Sequence, residues 1–235
     1  MPPGPASHPL PPTSPAHVFA AQRDWPSYFD KVAGKPPRET LVTALDAFER
    51  EGVPSAQGSE SCDKDHKPPL AIDLGCGEGR DTAELLRRGW RVLAIDGHPD
   101  GLRRLRERDL PHRDRLEIRH APFEGLEIPR AMLINASFCL PFCPPDHFAD
   151  LWRAITDAIE PGGRFAGQLF GDRDDWAPIP DRSHQTRAQA RALFAADFTL
   201  ERFDEVEDDG KDALDNPKHW HRFDVVAARQ PSSDG

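Results

Sequence analysis

From Leu70 onward short apolar runs alternate with stretches of helical period, and no other feature restricts the fold of this chain as much. "LAIDL", "WRVLAID", "RLEIRHA", "AMLINAS" and "RFAGQLF" read as strands, while "RDTAELLRRG", "PDGLRRLRERD" and "HFADLWRAITDAIEPGG" read as helices between them. Parallel strands require such crossovers, because the chain must return to one end of the sheet before running again in the same direction. A further helix, "HQTRAQARALFAA", precedes "FTLERFDEV" and "HWHRFDVVAA", two alternating strands joined by an acidic loop. With no helix between them, this last pair is expected as an antiparallel hairpin at a sheet edge. The expected class is therefore α/β: a mainly parallel sheet of seven strands, helices on both faces, and an antiparallel C-terminal hairpin.

Ahead of the sheet, a short helix is expected between Asp24 and Gly34, and a stronger one in "PRETLVTALDAFEREG". There Leu41, Val42, Leu45 and Phe48 recur at helical spacing, Pro37 suits a first turn and Gly52 a stop. Residues 1–22 read as a flexible proline-rich lead-in without the basic and apolar regions of a signal peptide, and 53–69 as a polar surface loop. One domain spanning 23–230 is expected, with its sheet core at 70–230. No apolar run approaches the roughly 20 residues of a membrane span. Four scattered cysteines do not make a disulfide framework and fit a reducing cytoplasm. The net charge of −10 argues against nucleic acid. An arginine-rich stretch from Gly101 to His120 is interrupted by acids and reads as a solvated surface.

The chemistry concentrates in "AIDLGCGEGRD", where Asp73 ends the first strand and Gly75, Gly77 and Gly79 form the turn into a helix. Glycine admits positive φ and carries no Cβ, so a ligand is expected against bare backbone at the helix start. A dinucleotide turn needs its third glycine where this chain has Arg80, and an acid at the strand end suits an ammonium group better than a pyrophosphate. Asp96, at the next strand end, is placed to accept hydrogen bonds from both hydroxyls of a ribose.

Together, "AIDLGCGEGR" and "VLAIDGHP" resemble the first two motifs of the class I S-adenosylmethionine-dependent methyltransferases, over about residues 70–229. The resemblance implies a Rossmann-like sheet and S-adenosyl-L-methionine as cofactor. It places Asp73 at the methionine amino end, lines the methionine with Gly75, Cys76 and Gly77, and sets Asp96 with Gly97 at the ribose. "HAPFEGL" then offers Ala121, Pro122 and Phe123 to the adenine, and "LINASFCLPF" puts Asn135 and Ser137 under the sulfonium. Chain length, the leading helices and the hairpin resemble the small-molecule enzymes of the tellurite-resistance and thiopurine type. They imply a small-molecule methyl acceptor and a helical lid over residues 23–52; the oligomeric state is left open, with a monomer favoured.

No catalytic residue is assigned. Tyr28 and Arg38 read as a packed aromatic and a solvated arginine, or else as ligand contacts. Cys76 reads as a small buried filler; Cys139 and Cys143 read as buried thiols first and as a soft-acceptor site second. His184 reads as a helix-start residue or a pocket base, and Asp172, Asp174 and Asp175 as loop acids. His219 and His221 share one strand face without a visible third metal ligand. Two other functions remain open: a nicotinamide-dependent oxidoreductase, and a module that binds S-adenosylmethionine without catalysis.

Overall fold

The computed structural model describes residues 24–53, 67–195 and 197–231. The proline-rich lead-in and most of the polar loop, Cys62 included, lie outside the described residues.

Two helices precede the sheet: α1 (Trp25–Val32), capped by the Asp24 carboxylate on the Ser27 amide, and α2 (Glu39–Arg50). Pro37 stands just before the α2 N-cap rather than inside its first turn, and Gly52 ends the segment at φ +71°. Strand β1 (Leu70–Leu74) then leads into α3 (Arg80–Arg87), β2 (Arg91–Asp96), α4 (Pro99–Glu107) and β3 (Leu116–His120). Next come β4 (Ala131–Ala136), α5 (Pro145–Ala158), β5 (Ile159–Phe170), the short α6 (Arg187–Ala192), β6 (Phe198–Lys211) and β7 (Pro217–Arg229). Short turns of 3-10 helix sit at Arg113–Arg115 and Leu140–Phe142.

The seven strands form one sheet in the order β3-β2-β1-β4-β5-β7-β6. The first five are mutually parallel, whereas β7 runs antiparallel between β5 and β6. Because chain order reverses between β1 and β4, a crevice opens above their C-terminal ends, where open α/β sheets receive ligands. Alternation along each strand divides the core in two. Ile72, Leu74, Ile134 and Phe165 pack with Trp152 and Ile155 of α5, while Ala71, Val92 and Leu133 pack with Leu41, Leu45 and Phe48 of α2 and with Leu85 of α3.

Two boundaries differ from the sequence reading. The helix expected to run through "IEPGG" stops at Ala158, because Ile159 already pairs with Ala131 at the bulged start of β5. The Arg229 guanidinium satisfies the freed carbonyls of Thr156 and Ile159, donating to Thr156 at 2.9 Å. The acidic stretch between the last two strands is not a loop either: Glu207, Asp208 and Asp209 belong to the β6–β7 ladder. Two of its three charges are matched, Glu207 by Arg173 at 2.7 Å and Asp209 by His219 at 2.7 Å, and Asp208 is exposed, which makes an acid-rich strand tolerable.

Candidate active site

The turn after β1 is tied to the tip of β2. The Cys76 amide donates to the Ile95 carbonyl at 3.1 Å and the Gly77 amide to Asp96 Oδ2 at 2.8 Å. Gly75, Gly77 and Gly79 all adopt positive φ, at +62°, +53° and +84°, so glycine is needed for conformation alone. The cleared space is a correction to the sequence reading. A Cβ on Gly75 would meet Cys139 Cβ at 2.3 Å, one on Gly77 would meet the Phe29 ring at 3.0 Å, and one on Gly79 would meet Leu105 at 2.3 Å. The missing side chains therefore admit the protein's own neighbours first, and only the open side of the turn faces the crevice.

Behind the turn two carboxylates share one amide. Asn135 pairs with Asp73 in register across β1 and β4, and its Nδ2 donates to Asp73 Oδ1 at 2.8 Å and to Asp81 Oδ2 at 3.1 Å. Thr82 Oγ1 donates to Asp73 Oδ2 at 2.6 Å, and the Arg38 amide to Asp81 Oδ1 at 3.0 Å. Asp73 is only 1% exposed, and burial, reinforced by the negative charge of Asp81, raises its pKa to about 7. Arg80 Nε stands 3.7 Å from Asp81 Oδ1, so the pair already has one cation at its side. Asn135 itself lies beneath the cleft wall and acts by orienting Asp73.

Asp73 and Asp96 open into one cleft of about 530 Å³, which Gly75, Cys76, Gly77, Gly97, Ala121, Pro122 and Phe123 also line. Asp96 accepts the His98 amide at 2.6 Å besides that of Gly77, and burial raises its pKa. Each of its oxygens retains a lone pair for a ligand hydroxyl. Ser137 reaches the cleft with its hydroxyl donating to Asn135 Oδ1 at 3.1 Å. Three further buried polar atoms on this wall have no hydrogen-bond partner in the protein: Glu78 Oε1, Arg80 Nε and His98 Nδ1. Glu78 Oε1 has Arg108 at 3.9 Å and Arg80 Nε has Asp81 at 3.7 Å, which leaves His98 Nδ1 as the atom best placed for a polar ligand.

Glu78, Arg80, Asp81 and His98 were not singled out from sequence. Asp81 carried one usable signal, as the first-turn acid directly after the glycine turn. Trp25, Tyr28 and Phe29 bring α1 over the same cleft. A second cavity, of about 280 Å³, adjoins it, and Trp25, Tyr28, Phe138 and Phe142 stand in both walls.

The remaining candidates are divided between the walls of the two cavities and the rest of the fold. His184 precedes the α6 cap, Thr186, by two residues; it is buried beside Phe170 with its pKa lowered by burial to about 4, and lines neither cavity. Asp174 and Asp175 are not solvated loop acids. Asp174 pairs with Lys218 at 2.5 Å with both side chains fully buried, and Asp175 accepts the His219 amide at 2.6 Å. Asp172, more exposed, stands 3.6 Å from His221. His221 also faces Glu205 at 3.1 Å, and among the described residues no three metal-ligating side chains converge. Burial pushes the Cys76 and Cys139 thiols well above their ordinary range and Cys143 to about 11, which makes them poor nucleophiles. Arg38 is not freely solvated, because its guanidinium lies 4.1 Å over the Phe138 ring.

Residues 71–163 match a family model described as a methyltransferase domain. The match takes in 93 of the 235 residues, less than half of the chain. Trans-aconitate 2-methyltransferase from Rhodopseudomonas palustris (strain BisB18) is 38% identical over 114 residues, covering 46% of this chain and 41% of that protein. The chain thus spans less than half the length of the curated relatives it matches. Among solved structures, the 1,6-didemethyltoxoflavin-N1-methyltransferase of Burkholderia thailandensis superposes with a TM-score of 0.56 at 22% identity, over 96% of this chain and 94% of that one. TehB from Haemophilus influenzae gives 0.58 at 16% identity, over 80% and 67%. At these identities the likeness is one of fold: a Rossmann-like, mostly parallel sheet with a reversed C-terminal strand.

Proposed function

We propose that this domain transfers a methyl group from S-adenosyl-L-methionine to a small-molecule acceptor. The observation that carries the reading is the buried pair Asp73 and Asp81, joined by Asn135, opening with Asp96 into one cleft. In this reading the acid pair takes the ammonium of the methionine and Arg80 the carboxylate. Asp96 with Gly97 takes the ribose hydroxyls, while Ala121, Pro122 and Phe123 flank the adenine. When bound, the cofactor supplies an electrophilic methyl on a sulfonium.

The chain's own residues would contribute position and dryness. Holding two reactants in line is worth about 7–11 kcal/mol, and the aromatic roof from α1 keeps water from the junction of the two cavities. A nicotinamide ligand is disfavoured by Arg80 in place of the third glycine and by an acid pair where a pyrophosphate would lie. The cytoplasm suits the three described cysteines, all unpaired. Among the described residues no helix is long and apolar enough to cross a membrane. Calorimetry with S-adenosylhomocysteine is the direct test: binding in the micromolar range is expected, and its absence at millimolar ligand would refute the proposal. Tight binding without turnover over a broad acceptor panel would instead leave a sensor of the cofactor.

A further inference from the structure

The cavity beside the cofactor cleft has a composition unlike the rest of the molecule. Its walls are aromatic: Trp25, Phe138, Phe142, Phe170, Trp176 and Trp220 face one space of about 280 Å³, at the small end of ligand pockets. Phe170 and Phe138 each meet Trp220 edge to face at 88°, while Trp176 is tilted 59° to Trp220 and 42° to Phe170. Behind them the buried Lys218 ammonium, 3.8 Å from the Trp220 ring centroid and paired with Asp174, fixes the wall.

The polar lining is cationic. Lys35, Arg38, Lys211 and Arg222 face the cavity against a single acid, Asp212, although the whole chain carries a net charge of −10. Asp212 is already occupied, its carboxylate accepting the Leu214 and Asn216 amides at 2.8 and 2.9 Å. Arg222 is partly neutralised by Asp224 at 3.2 Å. Arg38 is different: its guanidinium lies over the Phe138 ring and its buried Nε donates to nothing in the protein. Its other neighbours include the Tyr28 hydroxyl, which it hydrogen-bonds, and the more distant charge of Asp81, so a buried cation over an aromatic ring with one free donor is matched to an anionic ligand.

We infer that this cavity is the acceptor site and that it selects a planar aromatic or heteroaromatic anion of one or two rings, gripped by Arg38 and Arg222. The inference rests on the methyl-transfer reading above and narrows it. It also accounts for the absence, among the described lining residues, of a free side-chain carboxylate or imidazole to act as base. An acceptor atom that is already anionic donates its lone pair to form the new bond to the methyl carbon; the carbon–sulfur bond breaks with its electrons left on sulfur, and no proton needs removal. An uncharged phenol or amine would lack both the grip and the base.

The test is binding of 2-naphthoate, measured by calorimetry and by quenching of tryptophan fluorescence, to the full chain with and without S-adenosylhomocysteine. Uncharged 2-naphthamide, non-planar cyclohexanecarboxylate and the relative's substrate trans-aconitate serve as comparators. 2-Naphthoate is expected to bind at least tenfold more tightly than each of them. Arg38→Gln should reduce that preference over the amide to within about threefold, and Arg222→Gln should reduce it partly. Trp220→Ala should weaken 2-naphthoate while leaving S-adenosylhomocysteine affinity within twofold. Equal binding of acid and amide, preference for trans-aconitate, or an undiminished preference in folded Arg38→Gln and Arg222→Gln would overturn the inference. If S-adenosylhomocysteine fails to bind while 2-naphthoate binds with the stated preference, the methyl-transfer reading falls and the anionic aromatic site stands.

Discussion

Asp73 is a carboxylic acid held near neutrality by its surroundings, and its chemistry has two opposite pH signatures. Its folded pKa, about 7, lies above the ordinary carboxylate value, so the folded chain binds more protons than the unfolded one between those limits. The stability that neutral Asp73 contributes is complete at low pH and is lost as pH rises through about 7. An ammonium ligand acts the other way, because it needs the ionised form. S-adenosylhomocysteine affinity should therefore weaken by up to about tenfold per pH unit below pH 7. Calorimetry across the neutral range checks this, and Asp73→Asn should flatten the profile. Asp96→Ala should weaken the same ligand by about 1.5–3 kcal/mol if its carboxylate accepts the ribose hydroxyls; unchanged affinity would remove it from that role. Gly75→Ala would set a Cβ 2.3 Å from Cys139 Cβ at a φ of +62°, lowering stability by about 1–3 kcal/mol in chemical denaturation. Pairing it with Cys139→Gly should recover the steric part and leave the backbone strain.

The elements were more legible in the sequence than the contacts between them. Strand ends at Leu74 and Asp96 and the helix after the glycine turn follow from local period and local chemistry, and the resemblance to a methyltransferase adds the Rossmann-like sheet but not the strand order. The limits of β5, β6 and β7 were not legible, because they depend on partners far away in sequence. Ile159 is drawn from helix into strand by Ala131, and the acids of β6 are held in the ladder by Arg173 and His219. The cleft showed the same division. Acids at strand tips announce themselves, whereas Asn135, Arg80 and His98 acquire meaning only where β4, α3 and the β2–α4 turn converge. Helix α1 depends most on such distant packing. Phe29 is 2% exposed and its ring rests against Gly77 and Gly101. Phe29→Ala should accelerate amide exchange over residues 25–32 while exchange in β1 and β4 stays unchanged, and should loosen both ligand sites. Mass spectrometry of exchanged peptides would detect a uniform change across the domain, the result that contradicts this.

Across the whole molecule, Arg164 joins the segment after α2 to the middle of the sheet. It is 2% exposed, donates to Glu51 at 2.9 Å and to Glu201 of β6 at 2.8 Å, and lies 4.4 Å over the Phe48 ring. Both acids keep some access to water, Glu51 being 51% exposed, so they can re-solvate when the arginine is removed. Arg164→Ala should thus lower stability by about 2 kcal/mol, less than the 3–5 kcal/mol of a fully buried pair, as read from urea midpoints. The two cavities are connected through the molecule in another way, since Trp25 and Tyr28 on α1, with Phe138 and Phe142 across from them, stand in the walls of both. A partition shared by two rooms cannot be shifted for one tenant alone. If a guest on one side moves that partition, it changes the welcome given to its neighbour, and by thermodynamic necessity the factor is the same in either direction.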